Sequence, residues 1–477
     1  MNGINLFRYF LSNSLFCRKI IVKTMRLIVF GFFALMLAAC ETPPKRDEAL
    51  PVKNMPTRWE ANSDNQVVPP SWLAGFADQK LQDLVKESLA ANFDLQAAAA
   101  RVEAAKASVK IAGSGRFPQL SFSPGYERGE NHAVGKPTDK LSTFQALFDL
   151  NWELDVWGRI KDFQSAASYD AQATAYDFRA ARLSLAARTA QAYFVLTEAN
   201  LQVKVAEESI KDRRTVVDLV QGRFNRGLTQ GLDLRLALTD LTSAEAQLAD
   251  VRNRVQQAAR QLEVLLGRYP AGKVGSQAKL PNPPEPLQAG LPAEILQRRP
   301  DLVAAFDRLK AADYRVASAK KALLPRVTLT AAGGIRSSSL AELIDPRAVA
   351  WNFLMGLSQP LFTGGKLTGE IDLQNANVKE ALNNYRQTAL IAFSEVEQSL
   401  AAEEWLRKQE QAFYANVLQT EESRKSAINA YRRGVIQILT LLDSYRSTLS
   451  AQSEYFIVQR LLLNNRINLY LALGAEV

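Results

Sequence analysis

The sequence has little of what most enzyme and metal sites require. Its 477 residues include two cysteines, Cys17 and Cys40, and one histidine, His132. Disulfide frameworks, zinc sites and cysteine–histidine nucleophile pairs all need more of these residues. The sequence also has no Walker A phosphate loop and no Gly-x-Ser-x-Gly elbow. We therefore predict that the chain is not an enzyme, and that it holds no metal and no cofactor other than a covalent lipid.

Proline is missing from two long stretches, and glycine is missing from the first and is found only as Gly369 between Lys366 and Arg433 in the second. No proline lies between Pro137 and Pro270 or after Pro360, and no glycine lies between Gly158 and Gly222. A helix of nearly 70 residues would measure roughly 100 Å at about 1.5 Å per residue. An average globular helix has only about 11–12 residues. These stretches therefore predict long helices typical of a coiled coil or a tube.

Acidic residues are absent from the first 39 positions, which hold five basic ones. The net charge of +9 is therefore concentrated in a segment with the character of a targeting signal. No basic cluster with interleaved aromatic residues follows, so we predict no nucleic-acid partner.

The N-terminal segment predicts a lipid anchor. An apolar run of about 11 residues after Arg26 has the length of a signal peptide and is too short to span a bilayer. Residues 37–40, Leu-Ala-Ala-Cys, resemble the lipobox of bacterial lipoproteins, which implies a signal peptide at 1–39 and acylation of Cys40. The true start could instead be Met25, and a plain signal peptide with a chance cysteine is the alternative. Residues 40–71 are punctuated by proline and predict an extended tether.

A shift of 207 residues superimposes the two halves of the chain. It aligns Gly158 with Gly365, Gly227 with Gly434, and Gly267 with Gly474. We predict a first repeat at 72–268, a proline-rich linker at 269–292 and a second repeat at 293–477. Each repeat contains helices, one β-hairpin and a pair of long coiled-coil helices. The predicted hairpins are 118–154 and 325–362, and the helix pairs are 157–266 and 365–473.

The second strand of each hairpin alternates between apolar and polar residues. In residues 143–154, the even positions are apolar and most odd positions are polar. This pattern favours a membrane barrel with one lipid face and one wet face. A half-buried hairpin on a soluble domain is the alternative. Four strands per chain cannot close a barrel, and open edges are not tolerated in lipid. The prediction is therefore that chains share the barrel, since three would supply about twelve strands.

The first long stretch also carries a narrow apolar seam at alternating spacings of four and three residues. Such a seam is typical of coiled coils and suits the wall of a tube, although a solvated rod has the same pattern. The seam comprises Tyr176, Ala180, Leu183, Ala187, Ala190, Phe194, Thr197 and Leu201.

Several phrases together resemble the TolC-like outer-membrane efflux proteins, in particular the lipoprotein branch (NodT-type) that serves RND-type pumps. They run in order from about Pro70 to Gly474. The phrases are Trp-Glu-Leu-Asp-Val-Trp-Gly-Arg at 152–159, Arg-Phe at 223–224 with Gly-Leu-Thr at 227–229 and Leu-Asp-Leu at 232–234, Leu-Leu-Gly at 265–267, Leu-Pro at 291–292 with Arg-Pro-Asp-Leu at 299–302, Gln-Pro-Leu-Phe-Thr-Gly-Gly at 359–365, Tyr-Arg-Arg-Gly at 431–434 with Leu-Leu-Asp at 441–443, and Asn-Leu-Tyr at 468–470 with Leu-Gly at 473–474.

The resemblance implies an α+β membrane protein in which two repeats give a trimeric twelve-stranded β-barrel, four strands per chain. The barrel is continued by a long α-helical periplasmic barrel. It implies a passive homotrimeric conduit in the outer membrane of a Gram-negative bacterium, lipid-anchored, extending into the periplasm and exporting drugs or other small solutes. The implied partners are a periplasmic adaptor (membrane fusion protein), an inner-membrane RND transporter and outer-membrane lipid.

The resemblance also implies functional residues at the helix turns. The adaptor-docking tips fall on Gly227, Leu228, Gly434 and Val435, and the periplasmic gate on Tyr431, Leu439 and Asp443. Where some relatives carry an arginine and a second aspartate, this sequence has Ile436 and Thr440. We expect a closing network that is weaker or that uses Arg432 and Arg433.

Two other functions fit parts of the sequence. The outer-membrane conduit of a type I protein secretion system would use the same tube. A structural lipoprotein, either a coiled-coil rod or an adhesin, would need no barrel. The exported substrate, the particular pump and the particular adaptor are not specified by the chain.

Overall fold

The protein structure, a computed structural model, describes residues 59–60, 72–132, 135, 139–284 and 292–475. The predicted signal peptide at 1–39, the acylation site Cys40 and all of the predicted tether except residues 59–60 lie outside the described residues. Residues 285–291 of the predicted linker also lie outside them.

The chain runs twice through the same series of elements. The first series contains α1 (Gln79–Ala91), α2 (Phe93–Ser114), β1 (Gln119–Asn131), β2 (Asp139–Leu154), α3 (Arg159–Asn225) and α4 (Gly231–Leu265). The second contains α5 (Ile295–Arg298), α6 (Pro300–Lys321), β3 (Arg326–Ser337), β4 (Val349–Ser358), α7 (Lys366–Arg432) and α8 (Ile438–Ala472).

The predicted offset of 207 residues holds at the level of single residues. Helices α2, α3 and α4 begin and end 207 positions before α6, α7 and α8 respectively. The strands depart from the offset, because β4 ends at Ser358, short of the counterpart of Leu154. Pro360 follows closely and cannot donate a ladder hydrogen bond, which accounts for the shorter strand.

Glycines in the left-handed region end both long helices. Gly227 and Gly434 have φ values of 66° and 74°. After α3, the N–H of Leu228 donates to the carbonyl of Arg223 (3.0 Å). After α7, the N–H of Val435 donates to the carbonyl of Ala430 (3.0 Å). This Schellman arrangement satisfies terminal carbonyls and needs a residue that tolerates positive φ, so both hairpins reverse at the same point of the repeat.

The four strands form a single antiparallel sheet in the order β1-β2-β3-β4. The pairing of β2 with β3 joins the two repeats, with Phe144 opposite Ser337 and Leu154 opposite Val327. Strands β1 and β4 therefore lie at the two edges of the sheet.

Helix α3 lies at the centre of the helical part. It packs against α1, α2, α4, α6 and α8, whereas α7 packs against α6 and α8. Four residues of the predicted seam (Ala187, Ala190, Phe194 and Thr197) are buried, and the other four are half-buried.

The largest hydrophobic core surrounds the middle of the long helices. Trp72 stacks on Tyr470 with ring centroids 6.0 Å apart, and Phe76 packs on Phe194 at 5.5 Å. Trp59 is buried as well and lies 6.1 Å from the ring of Phe393 in α7. The core thus holds the described part of the N-terminal tether against α7 of the second repeat.

Two glycines allow close backbone contact at this core. Gly267 and Gly474 have φ values of 71° and 70°. A Cβ on Gly267 would lie 2.6 Å from the carbonyl oxygen of Ala91, and one on Gly474 would lie 3.0 Å from the carbonyl carbon of Arg298. Ala91 and Arg298 are themselves 207 residues apart, so both repeats use the same contact.

The first repeat adds a buried carboxylate here. Glu263 accepts hydrogen bonds from the backbone N–H groups of Gly272 (2.6 Å), Lys273 (2.7 Å) and Val274 (3.0 Å). Burial would raise the pKa of Glu263, but these three bonds and nearby Arg268 lower it overall. The carboxylate thereby fixes the start of the linker against α4.

Candidate functional site

One face of the four-stranded sheet is apolar and largely open to solvent in a single chain. The register places Phe122 opposite Phe148, and Leu329 opposite Met355. The exposed fraction is high for the apolar side chains on β1 and β4, reaching 79% for Trp351, whereas those on β3 and most of those on β2 are half-buried. Members of this apolar face are Leu120, Phe122, Tyr126, Phe144, Phe148, Leu150, Trp152, Val327, Leu329, Ile335, Val349, Trp351, Phe353, Met355 and Leu357.

The opposite face is mostly polar. Gln145 on this face accepts a hydrogen bond from Arg336 (2.8 Å), and the side chain of Asn352 accepts one from the N–H of Ala332 (3.0 Å). The sheet therefore has one apolar face and one polar face. Among the described residues, the outer edges of β1 and β4 have no strand partner. Such a sheet is incomplete in either water or lipid.

None of the described helices combines the length and apolar character that crossing a membrane requires. Among the described residues, no group of three or more Asp, Glu, His or Cys side chains is placed to hold a metal ion.

The predicted docking residues lie at the ends of the two helix hairpins. Leu228 is 58% exposed and Val435 is 71% exposed, each directly after a glycine turn. Arg226 and Arg433 precede those glycines and are also exposed. Each turn therefore presents a cation, a glycine and an apolar side chain in the same order.

Tyr431, the first predicted gate residue, lies inside the tip. Its side chain is 3% exposed and belongs to an apolar cluster that includes Val220 of α3, Ala237 of α4 and Leu442 of α8. The guanidinium of Arg223 lies 5.1 Å from the ring centroid. Arg223 also donates to the carbonyls of Tyr431 (3.2 Å) and Arg432 (3.3 Å). Burial raises the pKa of the Tyr431 phenol. Through its packing and its contact with Arg223, Tyr431 of the second hairpin is joined to the first hairpin.

Leu439 and Asp443, the other two predicted gate residues, lie in the open. Both are exposed on α8, four residues apart and hence on one side of the helix. Within one chain the three predicted gate residues therefore do not form one cluster. Ile436 is half-buried in the cluster that contains Tyr431, and Thr440 is exposed.

Ion pairs deeper in the tip were not found by sequence analysis. Buried Asp240 of α4 pairs with buried Arg213 of α3 (2.7 Å) and with Arg446 of α8 (2.9 Å). Arg424 of α7 pairs with Asp212 of α3. No local spacing reveals these contacts, because the partners are 27 to 212 positions apart.

The arginines near the tip differ in their contacts within one chain. Sequence analysis pointed to Arg432 and Arg433, which are both exposed. At the turns, the side chain of Arg223 reaches from the first hairpin to carbonyls of the second, and Arg432 takes part through its backbone carbonyl. A closing role for the side chains of Arg432 and Arg433 stays a prediction.

Comparison with known proteins supports this architecture. A family model described as "Outer membrane efflux protein" matches residues 84–268 and again residues 291–475, which is one match in each repeat. The chain is 29% identical to the "Cation efflux system protein CusC" of Escherichia coli, over 92% of this chain and 96% of that protein. It is 30% identical to the "Pyoverdine export outer membrane protein OpmQ" of Pseudomonas putida, over 92% and 95% respectively.

A solved structure of the outer-membrane channel OprN is similar throughout its length. The TM-score is 0.84 at 25% identity, covering 91% of this chain and 99% of that chain. The predicted fold class is confirmed by this similarity, and the four-stranded sheet is open in a single chain, as a shared barrel requires.

Proposed function

The chain belongs to the outer membrane efflux protein family, and we propose that three copies form a passive, lipid-anchored conduit from the periplasm through the outer membrane. The observation that carries this proposal is the sheet, with its apolar face, its polar face and two edges that pair with no other strand in the described part of the chain. Four strands cannot close, whereas three copies supply about twelve, enough to enclose a water-filled pore. In that barrel the apolar face contacts lipid and the polar face lines the pore.

The long helices continue the conduit below the membrane. Helices α3 and α7 have 67 residues each, which corresponds to about 100 Å of helix. The Outer membrane efflux protein family match in both repeats supports a wall built from both helix pairs. A structural rod or adhesin is disfavoured, because such a protein would not need a four-stranded sheet with an exposed apolar face.

The adaptor of a tripartite pump docks at the helix turns in this proposal. Gly227, Leu228, Gly434 and Val435 are the docking residues, and the exposure of Leu228 and Val435 supports this role. An inner-membrane RND transporter supplies the energy, since the conduit is passive. Relatives named for cation efflux and for pyoverdine export suggest that the cargo, a drug or another small solute, is chosen by the pump rather than by the wall.

The lipid anchor is proposed on the sequence 37–40 alone, with Cys40 as the acylated residue. The chain then sits in the outer membrane with both a barrel and an acyl chain. Labelling cells with an alkyne fatty acid checks this point, because Cys40→Ala should abolish incorporation into the protein while Cys17→Ala should not.

The gate in this proposal is a constriction made by Leu439 and Asp443 from three copies, supported from within each protomer by Tyr431. Apolar and carboxylate rings restrict ion passage by dewetting and by charge. Asp443→Ala should therefore raise single-channel conductance severalfold, and exposed Asp218, which lies outside the proposed gate, supplies the control Asp218→Ala. Equal conductance in both variants would remove Asp443 from the gate.

The conduit itself is tested with purified protein in planar bilayers. We expect heat-modifiable trimers in detergent and stepwise ion conductance after reconstitution. A deletion strain should become more susceptible to a panel of pump substrates. A monodisperse monomer with no conductance would overturn the proposal.

A further inference from the structure

The apolar face of the sheet changes character toward the end that is remote from the helices. In the register of β1 with β2, Tyr126 lies opposite Phe144, and their rings stack with centroids 4.5 Å apart. The next row on the same face places Arg128 opposite Ser142. Successive rows on one face lie about 7 Å apart along a strand. A polar and charged row therefore directly follows the last aromatic row.

Three polar groups meet at this boundary. Arg128 is exposed, and the half-buried Ser142 lies across from it on β2. The hydroxyl of Ser142 donates to the phenol oxygen of Tyr126 (3.3 Å). Tyr126 is two residues before Arg128 on the same strand and therefore on the same face. One guanidinium and two hydroxyls thus form a small polar patch, which we call the outer patch (Tyr126, Arg128 and Ser142).

The charges around the outer patch leave Arg128 in surplus. Glu130, two residues further along β1, lies opposite Lys140 in the register, and its carboxylate is 3.6 Å from the imidazole of His132. The residue opposite Arg128 is the neutral Ser142, which on this face is flanked by Lys140 and an aromatic ring. The neighbouring positions of β2 therefore oppose Arg128 with no carboxylate, and an anion from outside the chain can approach it.

We propose that the outer patch binds the phosphate group of a phosphorylated glycolipid in the outer leaflet of the outer membrane. The proposal rests on the proposed function, which puts the apolar face in lipid and the helices in the periplasm. This end of the sheet then lies at the cell surface. A guanidinium binds phosphate oxygens through paired N–H donors. The hydroxyls of Tyr126 and Ser142 add two further donors beside it.

The rings below the outer patch indicate that the anion belongs to a lipid. Phe122 and Phe148 follow the aromatic row toward the middle of the sheet, with ring centroids 5.0 Å apart, and both are exposed. A soluble phosphate would contact only the polar row. A lipid whose phosphate binds Arg128 would lay its acyl chains over these rings, so both rows of the surface are used by one molecule.

Arg336 provides a matched contrast near the same end of the sheet. It lies on β3, on the polar face, and donates to Gln145 (2.8 Å). Gln145 is three residues from Ser142 on β2, which corresponds to about 10 Å along the strand. Removing the charge of Arg336 therefore changes the net charge of this end of the sheet as much as removing that of Arg128, without altering the apolar face.

Binding of diphosphoryl lipid A to detergent-purified trimers tests the proposal, with the retained lipid counted by native mass spectrometry. Arg128→Gln should bind this lipid roughly fivefold more weakly than the wild type, the loss expected for one basic residue at an anionic membrane surface. Arg336→Gln should bind as the wild type does. Arg128→Lys keeps the charge without the paired donors, so its affinity should be intermediate.

The choice of probe separates the possible sources of the phosphate. Lipid A without its phosphates should bind the wild type roughly fivefold more weakly, and millimolar inorganic phosphate should not displace the diphosphoryl form. Equal retention of the two lipids, or equal affinity of Arg128→Gln and the wild type, would overturn the site. Displacement by inorganic phosphate, or Arg128-dependent binding that prefers phosphatidylglycerol, would overturn the assignment to a glycolipid.

A second variant keeps the site testable if Arg128→Gln fails to fold. Ser142→Ala removes one hydroxyl without changing the charge, and should weaken lipid A binding roughly threefold. Unchanged binding in that variant would count against the outer patch. Trimers that conduct ions but bind lipid A independently of Arg128 would overturn the site and leave the proposed function standing. Monomers without conductance would overturn both.

Discussion

Helices α3 and α7 are copies of one element in different surroundings. Both have 67 residues, yet α3 buries 20 of them and α7 buries eight. The difference follows from position, because α3 packs against five other helices, whereas α7 packs mainly against α6 and α8. The length and the end points of the two helices are thus the same in both repeats. The side chains on each helix face differ according to the elements that pack against that face.

Charge follows the same division. The first repeat places Arg213 and Asp240 in the interior, whereas the positions 207 residues later are Thr420 and Ser447. Glu263 caps the linker, and its counterpart is the core aromatic Tyr470. At these matched positions the first repeat buries ionic groups and the second does not, and substitutions at both members of each pair test the difference.

The largest expected effect is at Asp240. Asp240→Ala leaves the guanidinium of Arg213 buried without its carboxylate, and removing one partner of a buried pair costs about 3–5 kcal/mol. The matched variant Ser447→Ala is exposed and should change stability by less than about 0.5 kcal/mol. Thermal unfolding of the detergent-purified variants, followed by circular dichroism, measures both. Equal losses of stability in the two variants would show that the buried charge does not distinguish the repeats at this site.

The next effect should be shared by the two repeats. Gly267→Ala and Gly474→Ala each place a Cβ at positive φ beside backbone atoms, for which we expect a loss of about 2 kcal/mol. Gly222→Ala serves as control, because nothing lies within 4 Å of that Cβ. Helix propensity should make the control more stable by about 0.5–1 kcal/mol. A neutral result at Gly474 with a large one at Gly267 would show that the close contact is needed in one repeat only.

A smaller effect is expected at the tip. Arg223→Ala removes two hydrogen bonds from the first hairpin to the carbonyls of the second, worth about 1 kcal/mol in a partly exposed setting. Looser hairpins should leak roughly fivefold more current at rest in planar bilayers. Arg226→Ala is the control, since Arg226 binds the carbonyl of Gly222 in its own helix (3.0 Å). Leak that rises equally in both variants would point to general loss of positive charge.

The smallest effect is the pH dependence of Glu263. Because the folded-state pKa is lowered, the carboxylate stabilises the fold above its unfolded pKa of about 4.3. That contribution disappears as the pH falls through the lower folded value. The wild type should therefore exceed Glu263→Gln in melting temperature at pH 7, with the gap narrowing below about pH 4. The variant Tyr470→Phe should show no such narrowing, and a constant gap for Glu263→Gln would contradict the assignment.

The sequence predicted those features that depend on local chemistry. Gly227 and Gly434 marked the helix turns, and the offset found in the sequence also relates the ends of the long helices in the two repeats. The alternation of apolar and polar residues in 143–154 indicated an apolar face on β2. The strand pairing in the structure shows which residues of β1, β3 and β4 lie on the same face.

Features that depend on distant partners could not be predicted. The burial of Tyr431 needs residues from four helices, and the pairing of Asp240 with Arg446 joins positions 206 apart. The early end of β4 was missed, although Pro360 could have signalled it. Two 3-10 turns between β3 and β4, Leu340–Ile344 and Pro346–Ala348, also had no clear periodic pattern.

The two free edges of the sheet have a consequence for biogenesis. A newly exported protomer presents backbone donors and acceptors that would join any available strand, beside a surface that avoids water. A solitary inserted sheet would expose the same groups to hydrocarbon. For the proposed conduit this predicts that insertion and subunit association are coupled, and that before insertion the chain needs a chaperone or keeps its sheet unfolded.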